Sequence, residues 1–497
     1  MRLTLVLVLL SLLAGCGGGA GGDGGPTVAA DIGCTGTCAI TIPTNLTVAE
    51  VNRIVSQAVL EAQTRGATGT IAVVDRVGNV LAVFRMTGAA ATFTISGGRG
   101  VTGGLEGVNI VPSEFAAISK AITGAFLSSE GNAFTTRTAS QIVQQNFNPH
   151  EVGSPGGPLF GVQFSSLSCS DVAWSLSAAG GTTGPHGSPL GLSADPGGLP
   201  LYKNGTVVGG IGVIADSLYS LDLDLTNTDS DLDELIAVAG TSGFSAPAAR
   251  RADRITVDGR TLRFTDSEAI ASNPAAAPAA PVGGSLVAVT GYFAGAVIAG
   301  TQFNSAASGY RLDNTTAEFS GLNAYVLVNG ANANRYPPTA GSALTQAEVT
   351  RILAEAIRVA NRTRAQIRQP LGSPAQVNIS VVDTNGAILG IIRTPDAPVF
   401  GTDVAVQKAR TAMFFSRAAA TDLTTAGQGT YVTAAQAFNG VNTIPSGVAH
   451  SNRSVGNLAR PFFPDGINAN SNGPLSLPFA SWSPFAVGLQ LDLVQAQ

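Results

Sequence analysis

Apolar and polar positions along the chain recur in two separated blocks of the same kind. Near the front, Val51, Ile54, Val55, Ala58 and Val59 fall at helical spacing. Ahead of them Thr47 and Glu50 are placed as a capping box, with Leu46 and Val51 as its hydrophobic staple. Farther on, Thr345, Glu348, Leu344 and Val349 take the same four roles. Each helix leads into a strand–turn–strand pattern. The first is Ile71-Ala-Val-Val-Asp75 with Val80-Leu-Ala-Val-Phe-Arg85, and the second is Ile379-Ser-Val-Val-Asp383 with Ile388-Leu-Gly-Ile-Ile-Arg393. Their turns centre on Gly78 and on Asn385-Gly386, the second a pair in which both residues tolerate positive φ. Another helix follows each hairpin. One starts at about Ser113, with Phe115, Ile118, Ile122 and Phe126 on one face; the other starts near Asp403, and its Lys408 aligns with Lys120. A repeat this long is a folding unit rather than a solenoid module, so two related domains are expected.

Only the first block continues in a recognisable way. Residues 138–147 read as helical, a loop rich in Gly, Ser and Pro runs over 149–198, and a second hairpin spans Leu199 to Ile214 around Asn204-Gly205. A short helix is expected at 232–239 and an Ala/Pro linker at 271–281. After Lys408 no counterpart of the second hairpin is found, which would leave an open sheet edge. The expected organisation is a signal at 1–16, a Gly-rich tether at 17–45 and a first domain at 46–265. A linker at 266–284, a β-rich connecting segment at 285–340 and an incomplete or divergent second domain at 341–497 complete it.

The N-terminus changes this picture from a plain two-domain chain to an exported one. Arg2, the apolar run Leu3 to Leu13 and Leu13-Ala-Gly-Cys16 have the order of an export signal, and the run is shorter than the about 20 residues a membrane helix needs. Leu-Ala-Gly-Cys resembles the lipobox of bacterial lipoproteins, which implies lipid on Cys16 and a membrane partner through that lipid. Residue 17 is Gly rather than Asp, so a cell-envelope address at the outer membrane or cell surface is expected over the inner membrane. Cys34 and Cys38 could close a small disulfide loop, or one of them could pair with Cys169. The net charge of −5 supplies no basic field for nucleic acid.

Candidate chemistry is sparse. Arg85 with Arg393, and Lys120 with Lys408, recur in both blocks, so ligand contact and repeated internal ion pairs both stay open. Asp75 and Asp383 end a strand at a turn, where an Asx-type bond explains them. The acid-dense stretch Asp222 to Glu234 reads as helix capping ahead of calcium binding. Gly98-Arg-Gly-Val-Thr-Gly103 spells a dinucleotide fingerprint without the strand and helix it needs. No Ser-His-Asp order, Gly-x-Ser-x-Gly elbow or His-Glu-x-x-His occurs, so an enzyme is not the favoured class.

Four stretches together resemble one family. They are the first hairpin, the Lys120 helix, Pro196-Gly-Gly-Leu-Pro-Leu-Tyr-Lys-Asn-Gly-Thr-Val-Val-Gly-Gly-Ile-Gly-Val213, and the Asp-rich turn before Ala237-Val-Ala-Gly240. In the second block Val404-Ala-Val-Gln-Lys408-Ala-Arg-Thr-Ala-Met-Phe-Phe415 matches the Lys helix. The chain is similar to the GlcG/HbpS (DUF336) family. That resemblance implies an α+β fold in each domain, an antiparallel sheet with helices packed on it, and a tendency to oligomerise. It also implies a small ligand, with haem first among them. Gly197, Gly198 and the glycine-rich strand Gly209 to Gly212 let a ligand or another backbone approach closely, so a pocket bounded by them, Arg85 and the Lys120 helix is expected. The family often carries a His after the turn glycine of the first hairpin; those positions are Asn79 and Ala387 here. The expected function is therefore an exported lipoprotein acting as a small-ligand binding or sensing module. The alternatives are a non-catalytic surface or assembly protein with paired domains and an enzyme on a small hydroxy acid.

Overall fold

The computed structural model describes residues 44–416 apart from 97–104, 144–156, 160, 163–164, 169, 171, 173–182, 223, 225–226 and 258, and beyond these only 433 and 449–452. Cys16, Cys34, Cys38, Cys169, His150 and the Gly98–Gly103 stretch lie outside the described residues. Among the described residues no helix is long and apolar enough to cross a membrane.

The first repeat runs α1 (Val48–Thr64), β1 (Thr70–Asp75), β2 (Val80–Met86), β3 (Thr92–Ile95), β4 (Val111–Pro112), α2 (Ser113–Leu127) and α3 (Thr136–Ile142). It continues with β5 (Gly198–Lys203), β6 (Thr206–Ile214), β7 (Leu218–Tyr219), α4 (Leu232–Gly240), β8 (Thr256–Val257), β9 (Arg260–Thr261) and β10 (Gly284–Leu286). Then follow β11 (Tyr310–Leu312), β12 (Tyr325–Leu327), α5 (Gln346–Arg362), β13 (Asn378–Val382), β14 (Ile388–Arg393) and α6 (Gly401–Ser416). The fold is α+β, with antiparallel main sheets and helices packed on them.

The repeat extends to fine detail. Thr47 N donates to Glu50 Oε2 at 2.8 Å and Glu50 N to Thr47 Oγ1 at 3.3 Å; Thr345 and Glu348 form the same two bonds at the same lengths. Strands β1 and β2 pair with one irregularity between Val73 and Val74, and β13 and β14 repeat it between Val381 and Val382. Each capping box satisfies amides that open the helix, and each staple buries Leu46 or Val349 behind it.

The first sheet has the order β10-β2-β1-β6-β5. Ala72 and Val74 of β1 face the core that includes Ala121, Ile122 and Phe126 of α2, while Ile71 and Val73 face the core of α1 and α4. Burial on both faces explains why these strands read as nearly continuous apolar runs. The second sheet has the order β11-β12-β14-β13. Val349, Leu353 and Ile357 of α5 pack on one face against Val326, Leu389 and Ile392. Ile391, Val399 and Val406 join the core of α2, so the two repeats share an interior.

Residues 285–340, expected to connect the domains, supply strands to both sheets: β10 pairs with β2 at one edge, and β12 pairs with β14 and carries β11 as the edge strand. The far edge of β1 carries β6, whereas the far edge of β13 carries no strand among the described residues. The second copy is incomplete there.

Candidate functional site

Lys120 lies about two turns into α2 and is wholly buried. Its Nζ stands 2.6 Å from Asp195 Oδ2 and 2.6 Å from Asp233 Oδ2, all three out of solvent. Burial alone would lower the lysine pKa, but the two carboxylates hold it above its usual value. One ammonium facing two carboxylates leaves a surplus negative charge. Burial penalises that surplus, so Asp195 is pushed up to about 7 even with Lys120 beside it.

The glycines of β6 face this helix. A Cβ on Gly210 would run into the carbonyl of Ala121, and one on Gly212 into the carbonyl of Ala117. Gly198 stands in the same way against the carbonyl of Lys120, and Gly197, with φ of 108°, sits against Asp233. The close approach these glycines permit is that of the α2 backbone itself, and it leaves no room for a planar ligand between α2 and β6. Haem does not fit at that contact.

The other expected site residues lie apart from this group. Arg85 is partly exposed and pairs with Glu114 at 3.0 Å. Lys408 is exposed on α6. Arg393 is wholly buried and donates to Asn304 Oδ1 at 2.8 Å and to the carbonyls of Pro395 and Ala397 at 3.2 and 2.6 Å. Its guanidinium lies 4.3 Å from the ring centre of Tyr310 and 4.8 Å from that of Phe303. Burial, with Arg76 nearby, lowers its pKa to about 10.

The densest chemistry gathers at the tip of the first hairpin, where it meets the second repeat. Asp75 Oδ1 accepts from the amides of Val77 and Asn79 at 3.1 and 3.0 Å, the Asx arrangement expected of it. Arg76 projects from that turn, donates to Asp396 Oδ1 at 2.6 Å and stacks 3.7 Å from the ring centre of Phe303. Arg368 also pairs with Asp396 and reaches Ser129 Oγ at 2.8 Å. Burial would raise the Asp396 pKa, but Arg368 and Arg76 hold it down at about 2. Glu130, beside them, is pushed up to about 7 by burial and by the charge of Asp396. Nε and Nη1 of Arg76, Nε of Arg368 and Nε of Arg393 find no hydrogen-bond acceptor among the described residues. Two buried guanidiniums, of Arg76 and Arg368, thus share one ionised carboxylate, with Glu130 inclined to keep its proton beside them and Arg393 over the same Phe303 ring as Arg76.

An imidazole stands on the same turn. The amide of His186 donates to the carbonyl of Val77 at 2.9 Å, and a Cβ on Gly78 would lie 3.2 Å from His186 Cβ and 3.1 Å from Phe126 Cζ. The loop carrying it is laced to α2, since Leu190 N donates to Ser119 Oγ at 3.0 Å and Ser193 N to Thr123 Oγ1 at 2.7 Å. Nothing local in the sequence marks Arg76, Arg368 or Asp396, and His186 reads there only as one of three histidines in loops beside Pro, Gly or Ser. Arg76 is not repeated in the second hairpin, where Thr384 stands, and His186 lies far along the chain from the turn it reaches.

The acid-dense stretch behaves as capping residues do. Asp231 accepts from Glu234 N at 2.8 Å at the start of α4. Asp222, Asp229 and Asp266 come close together, but the guanidinium Nη1 of Arg137 stands 2.8, 3.2 and 3.3 Å from them, in the place a cation would take.

Residues 352–450 match the family model described as "Haem degrading protein HbpS-like". No curated protein matches the chain. Among solved structures, the PduOC–haem complex is 18% identical, with 40% of this chain and 96% of that one covered and a TM-score of 0.25. The Klebsiella pneumoniae protein ORFY, a DUF336 protein, is 20% identical over 41% and 94% with a TM-score of 0.24. A double mutant of Streptomyces reticuli HbpS is 22% identical over 41% and 90% with a TM-score of 0.23. The chain is thus similar to the GlcG/HbpS family, and residues 352–450 are the part that the HbpS-like family model matches.

Proposed function

We propose that this protein is an exported, lipid-anchored module that binds a small carboxylate-bearing ligand, with haem the first ligand to test, at the tip of the first hairpin. The observation that carries the reading is the match of residues 352–450 to the haem-degrading HbpS-like model. The chemistry at the tip supports it. Unpartnered donors of Arg76, Arg368 and Arg393 are suited to carboxylates such as propionates, and His186 is bound through its backbone to the turn that carries Arg76. Haem, when bound, would supply an iron centre whose behaviour follows its axial ligand. The chain's own part is to hold the acid groups and to exclude water. The lipid on Cys16, and the envelope address that follows from it, belong to the same proposal.

The test is a hemin titration of the full chain, of His186→Ala and of Arg358→Ala, a variant on the exposed face of α5. A Soret band that saturates in the parent and in Arg358→Ala but weakens in His186→Ala supports the reading. No band, or the same band in all three, removes haem from this site.

One observation favours assembly as a second reading. Ile54 and Ala58 of α1 are fully buried where α4 crosses them, with the Cβ position of Gly240 3.3 Å from Ala58 Cβ. Their counterparts on α5, Ile352 and Ala356, have no such helix over them among the described residues; Ile352 is 44% exposed, and Val359, one turn beyond Ala356, is 53% exposed. A stripe of this kind suits a second copy of the chain.

A further inference from the structure

The two outer segments make the same bonds to the two repeats, although they lie on opposite sides of them in the chain. In the second repeat the segment comes immediately before α5. Thr339 N donates to the carbonyl of Leu389 at 2.8 Å, and Gly341 N to that of Leu344 at 2.8 Å. Ser342 closes on the hairpin aspartate, its amide 3.0 Å from Asp383 Oδ2 and its hydroxyl 2.8 Å from Oδ1. In the first repeat the equivalent bonds come from residues that follow it. Ile298 N donates to the carbonyl of Leu81 at 3.1 Å, and Gly300 N to that of Leu46 at 2.8 Å. The amide and hydroxyl of Thr301 reach Asp75 Oδ2 at 3.0 and 2.7 Å.

The acceptors correspond one for one: Leu81 with Leu389, Leu46 with Leu344, and Asp75 with Asp383. The donors keep one spacing, since Ile298, Gly300 and Thr301 answer to Thr339, Gly341 and Ser342. Both glycines are packed alike. A Cβ on Gly300 would meet Asp75 Cβ at 3.1 Å and Leu81 Cδ1 at 3.4 Å, and one on Gly341 would meet Asp383 Oδ1 and Leu389 Cδ1, each at 2.8 Å. Upstream, Ser285 of β10 pairs with Arg85 as Tyr325 of β12 pairs with Arg393.

We infer that residues 284–301 are a strap belonging to the first domain, the circularly permuted counterpart of residues 324–342, and that the edge of β2 with Asp75 is a socket built for an extended segment ending in Gly-Thr or Gly-Ser. The first domain therefore ends after Thr301, and its closing piece arrives through the Ala/Pro stretch. One relation makes this sharp. In the second repeat a single residue, Ala343, separates Ser342 from Leu344. In the first, Asn45 is the residue next before Leu46, so Thr301 joined directly to Asn45 recreates the junction of the second repeat.

The experiment compares three full-length chains. One is the parent. The second lacks residues 282–301, which are replaced by a flexible Gly/Ser linker. The third is the second with residues 282–301 restored immediately ahead of Asn45. The expected result is that moving the strap recovers the parent's cooperative thermal transition, which the deletion loses. A permuted chain that melts no higher than the deleted one overturns the inference. Hydrogen exchange of Thr301→Val gives an independent reading that needs no rearranged chain. Amides of Ile298 and Gly300 should exchange about tenfold faster, because a hydrogen bond to a carboxylate is lost, while those of Thr339 and Gly341 keep the parent's rate. Unchanged exchange at 298–301, or equal acceleration in both segments, counts against it.

Discussion

Arg76 and Asp396 meet at 2.6 Å in the interior, each with about 1% of its side chain exposed, and they come from different repeats. Asp396 also takes the amide of Glu130 at 3.0 Å and the guanidinium of Arg368. One carboxylate thus ties the first hairpin turn, the end of α2 and the loop after α5. Because the charges are out of water, each depends on the others, and removing one leaves the rest uncompensated.

Asp396→Ala should therefore destabilise the whole chain by about 3–5 kcal/mol, as loss of one partner of a buried pair does. Denaturant unfolding is the measurement, and a midpoint within error of the parent would show the cluster to be incidental.

Glu130 gives the interface a pH dependence with a definite sign. Its pKa is raised from an ordinary 4.5 to about 7, by burial first and then by Asp396. A raised pKa contributes stability that is fully present below the unfolded value and is lost as pH rises through the folded one. Glu130→Gln should accordingly match the parent below about pH 4.5 and gain on it as pH rises to about 7, with the gap nearly level above that. Thermal melts of the two proteins across that range check it; a gap that narrows with rising pH contradicts the assignment.

Lys120→Met removes the only ammonium between Asp195 and Asp233 and should cost about 3–5 kcal/mol at pH 8. Acid should relieve the loss, because the two carboxyls can then take protons. Lys408→Met, on the exposed counterpart, should stay within about 0.5 kcal/mol of the parent. Equal effects of the two substitutions would mean that the repeated lysines share one role.

Cys16→Ser tests the anchor. The variant should leave the membrane fraction, and the parent should carry a diacylglyceryl mass. Unchanged partitioning with no added mass removes the lipid from the account.

Much of the scaffold was legible because its signals are local. The capping pairs Thr47–Glu50 and Thr345–Glu348, the turns at Gly78 and Asn385-Gly386, and the Asx role of Asp75 each act over four residues or fewer. The β-rich character of 285–340 was legible, but not which sheet each piece joins, since β10 and β12 are three residues long and show no alternation that assigns a face. The interdomain cluster was hidden for another reason. Arg76 and Asp396 are 320 residues apart, and the repeat does not duplicate either of their roles. Lys120 and Lys408 show the converse: a residue can recur in sequence while one copy is a buried counter-ion and the other is solvent-exposed. The glycines of β6 announced a close approach correctly, but periodicity does not tell a ligand from a helix backbone.

The central claim is that the protein holds a small carboxylate-bearing ligand, haem first, at the first hairpin tip. Absorbance and mass spectra of the protein purified from its own cell membranes test it most directly. The account predicts a Soret band with stoichiometric haem that is lost in His186→Ala purified in the same way. Protein that carries no haem and takes none up from added hemin, or haem retained equally by His186→Ala, contradicts it.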